Sequence, residues 1–172
     1  RAYSSWWKSL AFKIATLFGL SYIGIYRSFG VTDFLNIAVS NVQKQKARRI
    51  HEEVTSQLSD KRDLEALTIH GVRVGDLIYD TYLAKFKKPT FDKNESEFIN
   101  FLLESIELFV FWEDYLDSHD VRAITVSHCV YNTAIPLRLG IERNIPLFQA
   151  NVTSVYRLSK KNYFAYNDFF YF

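Results

Sequence analysis

The sequence predicts a single α/β domain, residues 1–172, with a mainly parallel β-sheet. An apolar run at 121–130 indicates a buried strand, a helix follows at about 132–143, and a second strand comes directly after it at 146–149. Strand–helix–strand units of this kind are almost always right-handed and pair their strands in parallel. The nearly continuous apolar character of the first strand is typical of a strand covered on both faces, as in parallel sheets.

The other predicted elements follow from apolar periodicity and from turn residues. The clearest helix covers 94–118, where apolar residues line one side and acidic residues line the other. Five more elements are predicted in chain order: a helix at 36–58, a helical turn at 61–67 for which Ser59 and Asp60 offer a cap, a tight turn or hairpin around Gly71, a helix at 77–86 capped by Asp76, and a strand at 155–158.

The composition indicates a folded domain and gives no electrostatic case for nucleic acid. Hydrophobic residues make up 48% of the chain and aromatic residues 17%, so burial of a core can offset the entropy lost on ordering. Basic and acidic residues number 21 and 19, which leaves a net charge of only +2. One basic cluster is interpreted as a solvated helix face, with phosphate or anionic-lipid contact as the alternative: Lys44, Lys46, Arg48 and Arg49.

The two ends of the sequence predict a piece of a longer protein. No Met is present, the first residue is Arg1, and the last ten residues are heavily aromatic. The apolar stretch 9–26 is interrupted by Lys13, whose charge would cost about 2.5–3.5 kcal/mol inside a bilayer. We therefore expect a helix at 4–18 and a strand near 22–26 instead of a membrane span, with attachment of the 6–18 helix to a membrane surface as the alternative.

Chemistry is expected first at the end of the 121–130 strand, because ligands of open α/β sheets collect beyond the carboxyl ends of strands. Ser127 and His128 supply a hydroxyl and an imidazole there, and Arg138 in the next helix can add a positive charge. The imidazole is a candidate general base; the alternative is that both side chains only cap the helix. Cys129, the single cysteine, is interpreted as a small buried hydrophobe, with a nucleophile as the alternative.

A second candidate site is the start of the 77–86 helix. Asp76 and Asp80 are four residues apart and share one helix face. Two carboxylates so placed can hold a metal or a sugar hydroxyl; the alternative is a cap at Asp76 and a solvated Asp80. His51 and His70 lack partners at metal-ligand spacing, and no glycine-rich phosphate loop occurs. No metal and no cofactor are therefore expected.

Two segments together resemble a known group of proteins. The first is IHGVRVGDLIYDTYL at 69–83, and the second is VSHCVY at 126–131, continuing to Arg138 and to the Ile-Pro step at 145–146. They resemble the glycosyltransferase-like proteins of bacterial capsule and lipopolysaccharide biosynthesis, in which a G-x-x-x-GDLIYDTYL stretch precedes a V-S/T-H-x-x-Y strand end. The resemblance covers about residues 22–160.

The resemblance implies a Rossmann-like three-layer sandwich, the N-terminal half of a two-domain GT-B glycosyltransferase. This half holds the glycan acceptor, while a C-terminal half, missing here, holds most of the sugar nucleotide. Transfer in such enzymes needs no bound metal, and His128 becomes the candidate catalytic base. The candidate substrate-binding residues are Ser127, Asp76, Tyr79, Asp80, Tyr131 and Arg138.

The expected partners are therefore a sugar nucleotide and a glycan acceptor, with no nucleic acid. The expected location is the cytoplasm, with peripheral association at the inner face of the membrane as an open alternative. A different class of function also stays open: a non-catalytic α/β binding or assembly module of a polysaccharide-synthesis machine. That alternative predicts a shallow surface at Ser127 and a buried His128 bonded to backbone.

Overall fold

A computed structural model describes residues 30–150 and 154–162, together with the isolated positions Leu10, Ile14 and Tyr26. The helix expected at 4–18 and the strand expected at 22–26 lie outside the described residues apart from these three positions. All three are helical, so Tyr26 is not in a strand.

The chain divides into two compact units, Arg1–Asn36 and Ile37–Phe172. Both predicted sites lie in the second unit. The described elements of that unit are, in order, α1 (Asn41–Gln57), α2 (Lys61–Ala66), β1 (Thr68–Ile69), β2 (Val72–Arg73), α3 (Gly75–Phe86), α4 (Ser96–Ser118), β3 (Ile124–Val126), a 3₁₀ turn (Asn132–Ala134), α5 (Ile135–Glu142), β4 (Leu147–Ala150) and β5 (Val155–Leu158).

The sheet of β3, β4 and β5 confirms the α/β class and the strand–helix–strand unit. Strands β3 and β4 pair in parallel, with Ile124 opposite Leu147, and α5 lies between them in sequence. Strand β5 then pairs with β4 in antiparallel orientation. Among the described residues this sheet is small and mixed, and a second, two-stranded sheet is formed by β1 and β2.

Strand β3, the first strand of the strand–helix–strand unit, is shorter and less covered than the sequence predicts. It spans three residues instead of the expected 121–130, and Thr125 is exposed while Ile124 and Val126 are partly buried. Successive side chains of a strand point to opposite faces. Ile124 and Val126 pack against the core, so only one face of β3 is covered. The prediction of a strand buried on both faces is wrong.

Side-chain caps set the starts of α1 and α2. At α1, the Ser40 hydroxyl accepts from the Gln43 amide at 3.2 Å, and the Gln43 side chain accepts from the Ser40 amide at 2.9 Å. This reciprocal capping begins the helix five residues later than predicted. Of the two caps predicted for α2, Ser59 and Asp60, the structure uses Asp60, through bonds from the Arg62 and Asp63 amides.

The hairpin predicted around Gly71 is present between β1 and β2. Its two central residues, His70 and Gly71, have φ of 50° and 79°. Positive φ at both positions is the requirement of the type I′ turn that matches the twist of a two-residue hairpin. Glycine adopts this conformation freely, and histidine is among the residues that tolerate it best.

The core is centred on α4, whose apolar side is buried as predicted against α1, α3 and α5. Tyr82 of α3 lies at the middle of an aromatic cluster, with ring centroids 5.0 Å from Phe86, 5.2 Å from Phe98 and 5.6 Å from Phe101. Its hydroxyl donates to Glu95 at 2.9 Å. Tilted and edge-on aromatic pairs of this kind stabilise a fold beyond the area they bury. The core thus fixes the position of α3 relative to α4.

Candidate functional site

A buried ion pair joins α3 to α5. Nη2 of Arg138 lies 2.7 Å from Oδ2 of Asp76, and Nη1 donates to the carbonyl of Arg73 at 3.3 Å. The Arg138 side chain is only 2% exposed and that of Asp76 18%. Arg138 therefore lies inside the fold, where its charge is balanced by a carboxylate from the first resembling segment.

The predicted capping role of Asp76 is wrong. Helix α3 begins at Gly75, its N-cap position is Val74, and no side chain caps it. Asp76 instead occupies the first turn, where a negative charge is favoured by the helix dipole, and its carboxylate turns to Arg138. The sequence could not distinguish these two uses, because the partner lies 62 residues further along the chain.

Gly75 is required by close packing of α3 on the end of α2. A Cβ at this position would lie 1.7 Å from the Leu64 carbonyl oxygen and 2.8 Å from the Leu67 nitrogen. The approach is held by two hydrogen bonds, from the Val74 and Gly75 amides to the Leu67 carbonyl, each 3.1 Å long. The glycine before Asp76 in the first segment thus has a steric cause.

The loop after β3 carries the exposed candidates of the second segment. Ser127 and His128 are both exposed. The helical residues begin only at Asn132, and neither the 3₁₀ turn nor α5 has a side-chain cap. The alternative that Ser127 and His128 cap the following helix is therefore wrong. Their hydroxyl and imidazole face solvent beyond the carboxyl end of β3.

Cys129 turns inward and anchors this loop. It is fully buried, and its thiol donates to Oε1 of Gln149 at 2.9 Å. The amide of the same Gln149 side chain donates to the Ser127 carbonyl at 3.4 Å. The interpretation of Cys129 as a buried small residue is confirmed, and the buried Gln149 ties the loop to β4.

Tyr131 has the most unusual backbone in the loop, with φ of 63° and ψ of 177°. This region is essentially restricted to glycine and costs other residues about 1–3 kcal/mol. The next residue is held firmly: the Asn132 amide donates to the Thr81 hydroxyl and its side-chain amide to the Ser105 hydroxyl, each at 2.8 Å. These bonds tie the loop to α3 and α4 and offset the strain at Tyr131.

A shallow hollow of about 500 Å³ lies where this loop meets α3. The first segment contributes one side and the second segment the other. Its lining residues are Asp80, Leu83, Ala84, Val130 and Tyr131. Two predicted contacts, Asp80 and Tyr131, are thereby brought together although 51 residues separate them in the sequence.

The remaining predicted contact, Tyr79, belongs to the core. Its side chain is buried, its ring meets Phe91 edge-on with centroids 6.1 Å apart, and Lys61 lies 5.2 Å from its centroid on the face. Tyr79 and Asp80 are adjacent in α3 and therefore point in different directions around the helix. Tyr79 is thus a scaffold residue, whereas Asp80 lines the hollow.

The surroundings of Asp80 disfavour the ionised form of its carboxyl group. Partial burial raises its pKa, the neighbouring Asp76 and Glu65 charges raise it further, and Lys61 lowers it. An acid with a raised pKa binds its proton more tightly in the folded chain than in the unfolded one. Ionised Asp80 therefore destabilises the fold above its folded pKa, and this cost disappears as the pH falls below the ordinary value for aspartic acid.

Replacing Asp80 with asparagine should consequently stabilise the chain at neutral pH. We expect Asp80→Asn to raise the free energy of unfolding at pH 7 by less than about 1 kcal/mol, since the side chain is solvent-accessible and its interactions are screened. The gain should vanish below about pH 4. Urea unfolding at several pH values measures it, and a gain that persists in acid would show a cause other than the carboxylate charge.

A histidine–carboxylate pair that the sequence analysis missed lies on the β1–β2 hairpin. Nδ1 of His70 is 2.7 Å from Oε1 of Glu113 in α4, and Nζ of Lys46 in α1 is 2.9 Å from Oε2 of the same group. Burial alone would lower the pKa of Lys46, but Glu113 and Asp114 outweigh it and raise that pKa. Lys46 is thus ion-paired, unlike the exposed Lys44, Arg48 and Arg49.

The position of Glu113 in the sequence of α4 is a signal that could have indicated this pair. Glu113 stands four residues after Phe109 and three before Leu116, on the buried side of α4. A charge on an apolar stripe needs a partner, and His70 and Lys46 supply it. A carboxylate holding Nδ1 fixes the orientation of an imidazole, so the arrangement fastens the hairpin to α1 and α4.

A second hollow, of about 480 Å³, lies at the opposite end of the sheet from the loop after β3. It is lined in part by Pro146, Leu158 and the basic residues Arg157, Lys160 and Lys161. Lys160 is paired with Glu142. None of the predicted site residues lies in this hollow.

Within residues 30–150 and 154–162, no group of three or more His, Cys, Asp or Glu side chains is arranged to hold a metal ion. Over the same residues, no helix combines the length and the apolar character needed to cross a membrane. No protein-family model, curated protein or solved structure matches the chain.

Proposed function

We propose that this chain is the acceptor-side domain of a glycosyltransferase in bacterial surface-polysaccharide biosynthesis. It binds the growing glycan at the hollow between α3 and the loop after β3. A sugar nucleotide, held mainly by a further donor-binding domain, supplies the transferred sugar. The proposal includes the Rossmann-like sandwich of a GT-B half and a cytoplasmic location.

The observation that carries the proposal is the contact between the two segments that resemble such enzymes. They meet in three ways: the Asp76–Arg138 ion pair, the hydrogen bond from the Asn132 amide to Thr81, and the hollow lined by both. Segments that share a ligand site must meet in space, and these two meet at a hollow on the surface.

His128 is the proposed catalytic base. An acceptor hydroxyl gives its proton to the imidazole, and the resulting oxygen nucleophile attacks the anomeric carbon of the donor sugar. The bond to the nucleoside diphosphate breaks, and the diphosphate leaves with the electron pair. An exposed imidazole beyond the carboxyl end of β3 suits this step because a ring nitrogen can accept a proton and is open to substrate.

The test is sugar transfer by the whole gene product that contains this chain. We expect His128→Ala to lower the transfer rate by about 10²- to 10⁴-fold, the usual contribution of a positioned general base, with the unfolding midpoint unchanged. His119→Ala is the matched control, because His119 is also exposed but lies at the end of α4. Unchanged turnover in His128→Ala would remove the assigned role.

A non-catalytic glycan-binding or assembly module is the second candidate. The shallow form of the hollow and the absence of Asp76 from its lining favour it. The exposure of His128 counts against it, because that alternative expects a buried histidine bonded to backbone. Glycan binding without transfer of sugar from any nucleotide donor would favour the non-catalytic module over the glycosyltransferase domain.

A further inference from the structure

The hydrogen bonds of the loop account for the strained backbone at Tyr131, but they do not explain why this position holds a tyrosine. A glycine would adopt this conformation freely, yet the position holds a large aromatic residue that is 44% exposed. An exposed ring contributes little to the core, so the strain is not offset by packing of the ring. Strain of this kind tends to occur where a side chain is held for binding.

The surrounding loop holds the backbone of Tyr131 in one place. The Tyr131 carbonyl accepts from the Ala134 amide at 2.9 Å, and the next residue is bonded to Thr81 and Ser105. Two residues earlier, Cys129 is buried against Gln149. Anchors on both sides fix the backbone from which the Tyr131 side chain extends beside the hollow, and binding to a residue on a preorganised backbone loses less entropy.

We propose that Tyr131 is an aromatic platform on which one pyranose ring of a glycan stacks, with the Asp80 carboxylate accepting hydrogen bonds from its hydroxyl groups. This inference rests on the proposed function and names its ligand. A pyranose ring has an apolar face of C–H groups, which suits the negative face of an aromatic ring. Its equatorial hydroxyls are donors at the ring edge, where a carboxylate at the wall of the hollow can accept them.

The charges around the hollow define the class of sugar. Asp80 lies near Asp76 and Glu65, while Lys61 and Arg138 provide the compensating positive charges. Arg73 lies 3.9 Å from the second carboxylate oxygen of Asp76, so these six groups sum to zero, and the Asp80 carboxylate is the one charge among the residues that line the hollow. A uronic acid or another acidic sugar would place a second negative charge beside Asp80, so the platform favours neutral or amino sugars over acidic ones.

The test compares three trisaccharides of equal length: a neutral glucan, an oligomer of glucosamine and an oligomer of glucuronic acid. Binding to the 172-residue chain is measured by calorimetry and by saturation-transfer NMR. We expect the neutral or the amino trisaccharide to bind at least about fivefold more tightly than the acidic one, equivalent to about 1 kcal/mol. Tighter binding of the acidic trisaccharide would overturn the charge argument.

Variants at Tyr131 then measure how much the aromatic ring contributes to binding affinity. Tyr131→Phe keeps the ring and should bind within about threefold of the wild type, whereas Tyr131→Gly should lose at least about tenfold in affinity. Because glycine relieves the strain, Tyr131→Gly should keep the unfolding midpoint, so lost binding cannot be attributed to unfolding. Equal affinity of Tyr131→Gly and wild type, or no binding of any trisaccharide, would overturn the platform. Transfer that depends on His128 would still support the proposed function in either case.

Discussion

Gly75→Ala is expected to lower the free energy of unfolding by about 3 kcal/mol or more. The added methyl group would lie 1.7 Å from the Leu64 carbonyl oxygen, and this neighbour is backbone. Leu64 cannot withdraw without breaking the end of α2, where its carbonyl accepts from the Leu67 amide. Overpacking of a close contact costs about 1–3 kcal/mol when side chains can shift, and more when backbone must move. Urea unfolding followed by circular dichroism measures the loss.

Gly71→Ala is the matched control for this substitution. Gly71 has a φ of 79°, but open space surrounds the position of its missing Cβ. The cost there should be limited to the backbone conformation, about 1 kcal/mol. If the two variants lose equal stability, the cause at Gly75 is glycine's conformational freedom and the close approach of α2 and α3 is not the reason for this residue.

Arg138→Met is expected to destabilise the chain by about 3 kcal/mol. Methionine fills part of the space, but the Asp76 carboxylate loses the partner that lies 2.7 Å away. The nearest other cation is Arg73, whose Nε is 3.9 Å from the second carboxylate oxygen. Breaking a buried ion pair by removing one partner typically costs about 3–5 kcal/mol, because an uncompensated charge is left behind.

The double variant Asp76→Leu with Arg138→Met separates loss of the pair from loss of packing. Replacing both charges with apolar groups removes the unpaired carboxylate, so most of the stability should return. The coupling energy from the four chains then measures the link between the two segments. If the double variant is as unstable as the sum of the single ones, the two side chains act independently and the ion pair does not join α3 to α5.

Local patterns in the sequence predicted the elements that local chemistry determines. The apolar stripe of α4, the cap at Asp60, the turn at Gly71 and the strand Val155–Leu158 all depend on residues a few positions apart. The prediction was wrong where an apolar run was taken as one long strand. Cys129 is buried in the loop after β3, where it bonds to Gln149, and it does not extend the strand.

The candidate site was predictable only in part, because its key contacts join distant residues. Asp80 and Tyr131 were both named from the sequence, and they line one hollow. Arg138 and Tyr79 were also named, but their side chains are buried in the fold. The partner of a buried charge is chosen by the tertiary fold, and neither periodicity nor motif spacing encodes it. The same reason hid the His70–Glu113 pair, which spans 43 residues.

The shared site of the two segments is tested most directly by NMR titration of the 172-residue chain with the neutral trisaccharide. Shifts of backbone amides report where the sugar contacts the chain. We expect the largest shifts at Asp80, Leu83, Ala84, Val130 and Tyr131, the residues that line the hollow. The largest shifts at Arg157, Lys160 and Lys161, in the hollow at the other end of the sheet, would contradict the assignment. A spectrum unchanged at saturating sugar would contradict it equally.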